Sequence, residues 1–587
     1  MPKPCYQKHT SRDNIGIKSG PQVWASVGES ITGRIIQAHR HRILNANFPC
    51  IPPPSSPPDL HAMDLLCLPE DILTEFLNAA NPLDILAVGQ TCSLLRSLTS
   101  QRAIWERKRR DLVKQRNLYA PSLSSRDPCM GALQRIVSGP HLWNNLLRRL
   151  SVPPEAHEEL TTELIKDKVA VHIEPSAGTS SLYLVPGGRY LFTSLAEGRD
   201  PLTIKLWDLG PVGMPILSAP VLLSQYEIRF DGTPEQPHRY VNLAVWVSDL
   251  DALELRLVAV FKRAGSRNGS VFLAKVFAIS PGNPNPEFKE LGSLYCDARP
   301  EQPTSSYLPI QLRVFEDTVL IKPEHAYLLW NFKEGWYADW SDGGVTAEYY
   351  MSSSLTKDYV ITPHRTGASI WNVNLLPRCS VTPHSSLMVA PLVPSFSSLL
   401  SHHRVPWPSL RIPLECIVWV SAPQIQRCPP FVFDIFFGCE GLRIKLDDRT
   451  TGGEGSAFQV TYLAWFILPV TLNLTPLQFY PHVSYNGGQD EFANVALTDV
   501  TRMGLSFYSI YPSPSPLPTS KSGTHFAHGL APEFTSTVVG IFPCNTDYEG
   551  FTACPISGRV VHVYLVDHRG EEDEPIITGV RCVDLIF

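Results

Sequence analysis

Gly188-Arg-Tyr-Leu-Phe-Thr leading to Ile204-Lys-Leu-Trp-Asp-Leu is the stretch on which the fold is decided, because the chain writes it again. Asp317-Thr-Val-Leu-Ile-Lys-Pro leads to Tyr327-Leu-Leu-Trp-Asn-Phe, and Asp358-Tyr-Val-Ile-Thr-Pro leads to Ser369-Ile-Trp-Asn-Val. Each copy is a short apolar run rich in β-branched and aromatic residues, a turn, and a second run closed by Trp and then Asp or Asn. The tryptophans at 207, 330 and 371 stand 123 and 41 residues apart, and 123 is three times 41. Further strand pairs are predicted at Leu253 to Phe261 with Ser270 to Ile279, at Ile417 to Val420 with Phe431 to Phe437, and at Val538 to Phe542 with Arg559 to Val566; a single strand is predicted at Val460 to Leu468. Loops are expected at about 380–410 and 511–533.

A repeat of roughly 40–45 residues is that of a four-stranded propeller blade. Residues 169–587 therefore read as a mainly antiparallel β body, a propeller of six or seven blades, with the repeats fading after about residue 375. Composition agrees. The 53 prolines among 587 residues break helical ladders and leave short strands and loops as the main elements of the chain. Apolar residues at 43% and charged residues at 18% supply a core and exclude general disorder. The longest apolar run, Tyr462 to Val470, is strand-sized and well short of a membrane helix, and no basic-then-apolar leader opens the chain.

Ahead of the β region the pattern is different. Residues 1–62 lack a sustained period and end in the proline run Pro52 to Pro58; they read as a disordered lead-in, and Met63 is a candidate natural start. Residues 63–113 read as three short helices. Leu68-Pro69-Glu70-Asp71 opens the first, with Ile72, Leu73, Phe76 and Leu77 on one face. Asn81-Pro82-Leu83-Asp84 opens the second, with Asn as N-cap, and runs through Ile85, Leu86 and Val88 towards Cys92, Leu95 and Leu98. The third spans Ala103 through Ile104 and Trp105 to Val113. Residues 114–168 read as a helical linker, interrupted at Gly139-Pro140 and carrying the stripe Trp143, Leu146, Leu147 and Leu150. The whole is thus an α+β multidomain chain.

Charge is divided along the same line. Residues 1–150 carry 19 Lys+Arg against 11 Asp+Glu, a balance of +8; the remainder carries 31 against 45, a balance of −14, giving the net −6. An acidic β body argues against a nucleic-acid footprint there. The 13 cysteines show no CxxC or Cys–His zinc spacing and, being odd in number without a leader, point to a reducing compartment. The sequons at Asn268 and Asn473 then carry no information.

Catalytic templates fail in turn: there is no Walker loop, GxGxxG, HExxH or GxSxG. Thr450-Thr-Gly-Gly-Glu-Gly-Ser reads as a surface turn, His39 and His41 as part of the flexible arm, and His402-His403 as part of a proline-flanked loop without ligand partners. Arg107-Lys-Arg-Arg110, beside Glu106 and Asp111 on a predicted helix, reads as a solvated helix face rather than a nuclear signal. No cofactor or metal is expected.

What stands out is the apolar density of residues 64–113, more than three short helices can bury among themselves, since a unit this small covers only about 60% of its surface. The surplus must pack on the helices after residue 130 or dock on a partner. In its order of elements — Leu68-Pro69-Glu70-Asp71-Ile72-Leu73, Phe76-Leu77, Asn81-Pro82-Leu83-Asp84-Ile85-Leu86, Thr91-Cys92 and Ala103-Ile104-Trp105 — the segment resembles an F-box. Thr91 stands where that family usually has Val, and Leu95 where it often has Trp. The layout of F-box, helical linker and proline-rich WD-repeat-like β body is also similar to the F-box repertoires of mushroom-forming fungi.

The resemblance implies a non-catalytic receptor of a cullin–RING ubiquitin ligase, cytoplasmic or nuclear. It would bind a Skp-type adaptor, and through it a cullin, by Leu68, Pro69, Ile72, Leu73, Phe76 and Leu77, continued by Leu83, Leu86, Val88, Cys92, Leu95 and Ile104, with Trp105 closing the helical unit. The β body would hold an unidentified protein substrate through residues the sequence does not name; neither nucleic acid nor membrane is an expected partner. The competing reading is a β-propeller enzyme or ligand-binding protein with the helices as a packing cap.

Overall fold

A computed structural model describes residues 68–116, 118–123 and 128–149, most of 170–380, and beyond residue 401 the strand segments together with the turn at 557 and 558. The predictions on residues 1–62, 150–165 and 511–533, on Asn268 and Asn473, and on the glycine turn at 450–456 lie outside the described residues. The chain divides into two compact units between Ile104 and Trp105.

In the first unit, helix α1 (Glu70–Ala79) starts behind Pro69, with Glu70 and Asp71 favourably placed in its first turn. Helix α2 (Pro82–Val88) has Asn81 as cap; its side chain accepts the Leu83 N–H at 2.9 Å. Where a single second helix is expected, two are found. The chain leaves α2 at Gly89 and re-enters helix α3 (Ser93–Thr99) with Cys92 at the N-cap position. Gly89 is needed because α2 and α3 approach closely there: a Cβ on it would lie 2.4 Å from Thr99 Oγ1. Gly89→Ala should therefore lower stability by about 1–3 kcal/mol, and Thr99→Ala on that background should recover part of it. Urea unfolding followed by circular dichroism checks this; two effects that simply add would remove the contact as the cause.

Helix α4 (Arg102–Arg116) is longer at both ends than its sequence pattern predicts. Helix α5 (Met130–Arg149) continues through Gly139-Pro140, where the sequence predicts a break. Proline removes one ladder bond, but Ile136, Val137 and Trp143 on either side are buried, and their packing holds the helix together.

The second unit is mostly β. Its described strands form seven antiparallel sheets, six of four strands and one of five. Sheet B holds Thr179–Leu184, Tyr190–Leu195, Thr203–Asp208 and Val221–Glu227. Sheet C holds His238–Val247, Leu255–Arg263, Ser270–Ile279 and Lys289–Ala298. Sheet D holds Gln311–Phe315, Thr318–Lys322, Ala326–Asn331 and Trp336–Ser341, edged by Cys379–Ser380. Sheet E holds Ser354–Leu355, Tyr359–His364, Gly367–Asn372 and His402–Pro406. Sheets F (four strands between 418 and 467) and G (four between 482 and 540) come next. Sheet A joins the last three strands, Phe551–Cys554, Arg559–Val566 and Ile577–Asp584, to the first strand of the region, Ala170–Ala177, which pairs with Ile577–Asp584.

Among the described side chains, sheets A to E pack face to face in turn. Ile204 and Leu206 of sheet B join Leu257 and Phe277 of sheet C in one core cluster. Trp207 of sheet B, beyond a register shift between Leu206 and Trp207, joins Val561 and Val580 of sheet A in another. Sheets C, D and E share a third cluster around Trp246, Phe315, Trp330 and Trp371. The first strands of neighbouring sheets lie side by side: Thr179–Leu184 by His238–Val247, that by Gln311–Phe315, and that by Ser354–Leu355. Phe551–Cys554 lies beside both His482–Ser484 and Thr179–Leu184. Segment 118–123 and α5 belong to this body: Leu112, Val113, Leu118, Leu123 and Ile136 enter the core of sheets A and B.

Three predictions need correction. The 123 residues from Trp207 to Trp330 cover two steps between sheets, B to C to D, instead of three, because the strands of sheet C run to nine and ten residues against five and six in sheet D. His402-His403 lie on a strand of sheet E. Val539–Gly540 pairs with Gly504–Ile510 and not with Arg559–Val566, which pairs with Phe551–Cys554 and Ile577–Asp584.

Candidate functional site

Within the first unit, the helices are tied together before they present anything outward. Gln101 Nε2 donates to Glu70 Oε1 at 2.8 Å, joining the end of the segment to the start of α1, and Arg96 Nε donates to the Gly89 carbonyl at 3.3 Å. Leu73, Leu77, Ile85, Leu95 and Leu98 form the buried side. This sorts the candidate contact residues. Leu73, Leu77, Leu95, Ile104 and Trp105 are buried by their own chain. Leu68, Phe76, Leu83, Leu86, Val88 and Cys92 are half-buried, and Pro69 and Ile72 are exposed, Ile72 by 43%. Pro69, Ile72 and Phe76 follow i, i+3, i+7, so the accessible apolar atoms of α1 share one side of the helix, next to the side that Leu73 and Leu77 bury. Leu94, 46% exposed, is an accessible leucine the sequence pattern passes over: Leu95 and Leu98 take the buried spacing of α3, and Leu94 is left outside it.

In the second unit, the three sequence repeats turn out to be one structural device. After the third strand of sheets B, D and E the residue following Asp or Asn donates its N–H back to the first turn: Leu209 to Arg189 O at 2.8 Å, Phe332 to Asp317 O at 3.1 Å, Val373 to Asp358 O at 2.8 Å. The Asp or Asn side chain then caps the next amides. Asp208 accepts from Gly210 at 2.8 Å, Asn331 from Glu334 at 2.8 Å, and Asn372 from Asn374 at 2.9 Å. A short polar side chain that hydrogen-bonds two residues ahead is what such turns select.

Sheet A carries a fourth version that the sequence pattern misses, since Val583 replaces the tryptophan before Asp584. Its signal is Gly-Arg instead. Gly188-Arg189 and Gly558-Arg559 both place glycine at positive φ, 78° and 72°, and both arginines pair with the aspartate that ends the third strand. Arg189 does so in bidentate fashion at 2.7 and 2.9 Å. Arg559, fully buried, lies 3.6 Å from Asp584 and donates to four carbonyls of sheet B's turns: Gly188 at 2.9 Å, Gly210 at 2.6 Å, Pro211 and Met214 at 3.3 Å. On the same side Tyr119 Oη donates to Leu253 O at 2.5 Å, and burial pushes that hydroxyl's pKa upward.

A polar group sits where the first strands gather. Arg313 Nε donates to Ser353 O at 3.0 Å, Gln311 Oε1 accepts the Ser353 N–H at 3.2 Å, and the Ser353 and Thr362 hydroxyls are 2.8 Å apart. Burial lowers the Arg313 pKa and raises that of Tyr183; the Coulombic influence of each on the other opposes its shift. The sequence carries no sign of this group, because its members come from three separate sheets. Among the described residues no group of three or more His, Cys, Asp or Glu could hold a metal ion. Among them, too, no helix is long and apolar enough to cross a membrane.

No family model matches the chain, and no curated protein does. Among solved structures, apo AztD from Citrobacter koseri is similar at 8% identity and a TM-score of 0.23, over 58% of this chain and 81% of that one. A second structure of Citrobacter koseri AztD gives 8% and 0.23 over 55% and 91%. A likeness at that score bears on neither fold nor function.

Proposed function

We propose that the chain is a substrate receptor of a cullin–RING ubiquitin ligase, non-catalytic in itself, in which the first helical unit holds a Skp-type adaptor and the β body holds a protein substrate. The observation that carries the reading is the accessible apolar side of α1. Pro69, Ile72 and Phe76 keep apolar surface in water while Leu73 and Leu77 beside them are buried, and these are residues through which the F-box resemblance docks. The β body reads as a seven-bladed propeller. Seven sheets in sequence, face-to-face packing among sheets A to E, first strands side by side and the strand Ala170–Ala177 paired into the final sheet all support that architecture. A receptor of this kind contributes proximity, since fixing a substrate lysine near a charged thioester makes the encounter nearly unimolecular. The reading carries with it a cytoplasmic or nuclear location.

The test is capture of a purified Skp-type adaptor by the full chain. Burying a side chain such as isoleucine is worth about 1.5–3 kcal/mol, so Ile72→Asp with Phe76→Asp should weaken capture by at least about tenfold while leaving thermal unfolding of the β body unchanged. Leu73 is the wrong target, because an aspartate there would break the helical core and not merely the surface. Wild-type protein that fails to capture the adaptor, or a double variant that captures it normally, would overturn the proposal.

A further inference from the structure

The outer edges of sheets A to E are unequally protected. First strands gather side by side, so the opposite edge of each sheet is its outer one: Ala170–Ala177, Val221–Glu227, Lys289–Ala298, Cys379–Ser380 and His402–Pro406. An open strand edge invites pairing with another chain, and charges, prolines or a covering segment blunt it. Sheet A's outer strand carries Glu174 and Pro175 within a register shift, sheet C's carries Lys289, Glu290 and Asp297, and sheet E's carries Arg404 and Pro406. In sheet D the edge is covered: Cys379–Ser380 pairs with Trp336 and Tyr337, and the Arg378 guanidinium lies 4.4 Å over the Trp336 ring.

Sheet B is the exception among these five. Its outer strand, Val221-Leu-Leu-Ser-Gln-Tyr-Glu227, has a single charge, at its far end, and no proline. Among the described residues its main chain pairs with Thr203–Asp208 alone. Leu223 forms a bulge between the pairs Leu206–Ser224 and Trp207–Leu222, and Ser224–Glu227 beyond it is regular. Leu223 and Tyr226 pack on the core shared with sheet C, which fixes the strand in place. Val221 and Leu222 remain 50% and 41% exposed, and Gln225 and Glu227 are exposed too.

We propose that this edge is where two copies of the chain pair, strand against antiparallel strand, about a two-fold axis near Ser224 and Gln225. An isologous contact must be self-complementary, and this strand is apolar at its start, neutral in its middle and acidic at its end. Antiparallel pairing sets Val221 and Leu222 of each copy beside the second copy's Glu227 and holds the two glutamates about 15 Å apart. Sheet D shows that the body takes a fifth strand at the same position. Seven residues from each copy make a contact well under the roughly 1,000 Å² of a stable interface, so the dimer depends on concentration. No residue of the first helical unit takes part, and the proposal stands apart from the adaptor reading.

Sedimentation velocity with the full chain between about 1 and about 100 µM, with hydrogen exchange at both ends of that range, tests it. A shift from monomer to dimer is expected, with added protection of Val221–Glu227 at the higher concentration. Two substitutions at one exposed site then read the direction of pairing. Leu222→Glu sets a carboxylate beside the second copy's Glu227, twice in each dimer, whereas Leu222→Lys sets an ammonium there. The Leu222→Glu protein should dimerise at least about tenfold more weakly than the Leu222→Lys protein, both unfolding thermally as wild type does. Should either variant fold poorly, the wild-type exchange pattern decides by itself. A chain that stays monomeric throughout, a dimer whose added protection lies away from Val221–Glu227, or two folded variants that associate equally would each overturn the proposal.

Discussion

Arg559→Met should cost about 3–5 kcal/mol of stability in the β body, the range for removing one partner of a buried ion pair. Two losses combine. Asp584, 4% exposed, is left without the arginine that faces it at 3.6 Å. The carbonyls of Gly188, Gly210, Pro211 and Met214 lose a buried donor, and unmade buried hydrogen bonds are expensive. Arg559→Lys should cost nearly as much although it keeps the charge, since an ammonium lacks the planar fork that reaches several acceptors at once. Adding Asp584→Leu to Arg559→Met should return part of the loss. Urea unfolding followed by tryptophan fluorescence decides it, and a single-variant cost below about 1 kcal/mol would mean the junction of sheets A and B is held by its apolar contacts alone.

Gly188→Ala is expected to be comparably damaging for a different reason. Gly188 sits at φ 78°, where an L side chain is strained, and a Cβ there would lie 2.0 Å from Ser557 Oγ and 2.8 Å from Ser557 Cβ. The neighbour is a strand-joining turn of sheet A, not the free end of a flexible side chain, so the backbone has to give way. Overpacking of this kind costs about 1–3 kcal/mol, to which the left-handed conformation adds about 1–2. Ser557→Gly on the alanine background should restore only the steric part, because the backbone strain remains. Thermal unfolding of the three proteins separates the two contributions; full restoration would remove strain from the account.

These two residues also show where sequence reading ends. The Trp-Asp and Trp-Asn endings are legible because each builds its turn locally, with Asp208, Asn331 and Asn372 capping amides two or three residues ahead. Sheet A is illegible by that rule: Val583 replaces the tryptophan, and Arg559 acts on turns more than three hundred residues away in sequence. The repeat length misleads because a four-stranded sheet with ten-residue strands consumes more chain than one with five-residue strands. In the helical unit the apolar periodicity locates the elements but not their outer surface. Leu73 and Ile72 are adjacent and similarly apolar, and only packing reveals that the first is buried and the second is exposed. Pro140 reads as a stop because local chemistry says so; the burial of Ile136, Val137 and Trp143 overrides it.

The pairing of Ala170 with Val583 has a consequence for biogenesis. The strand Ala170–Ala177 leaves the ribosome well before its partner and has no strand to pair with until Ile577–Asp584 has been translated, so the β body cannot complete that sheet until then. Through that interval one edge stays open and prone to wrong pairing. The helical unit that ends at Ile104, translated before the β body, has no such wait.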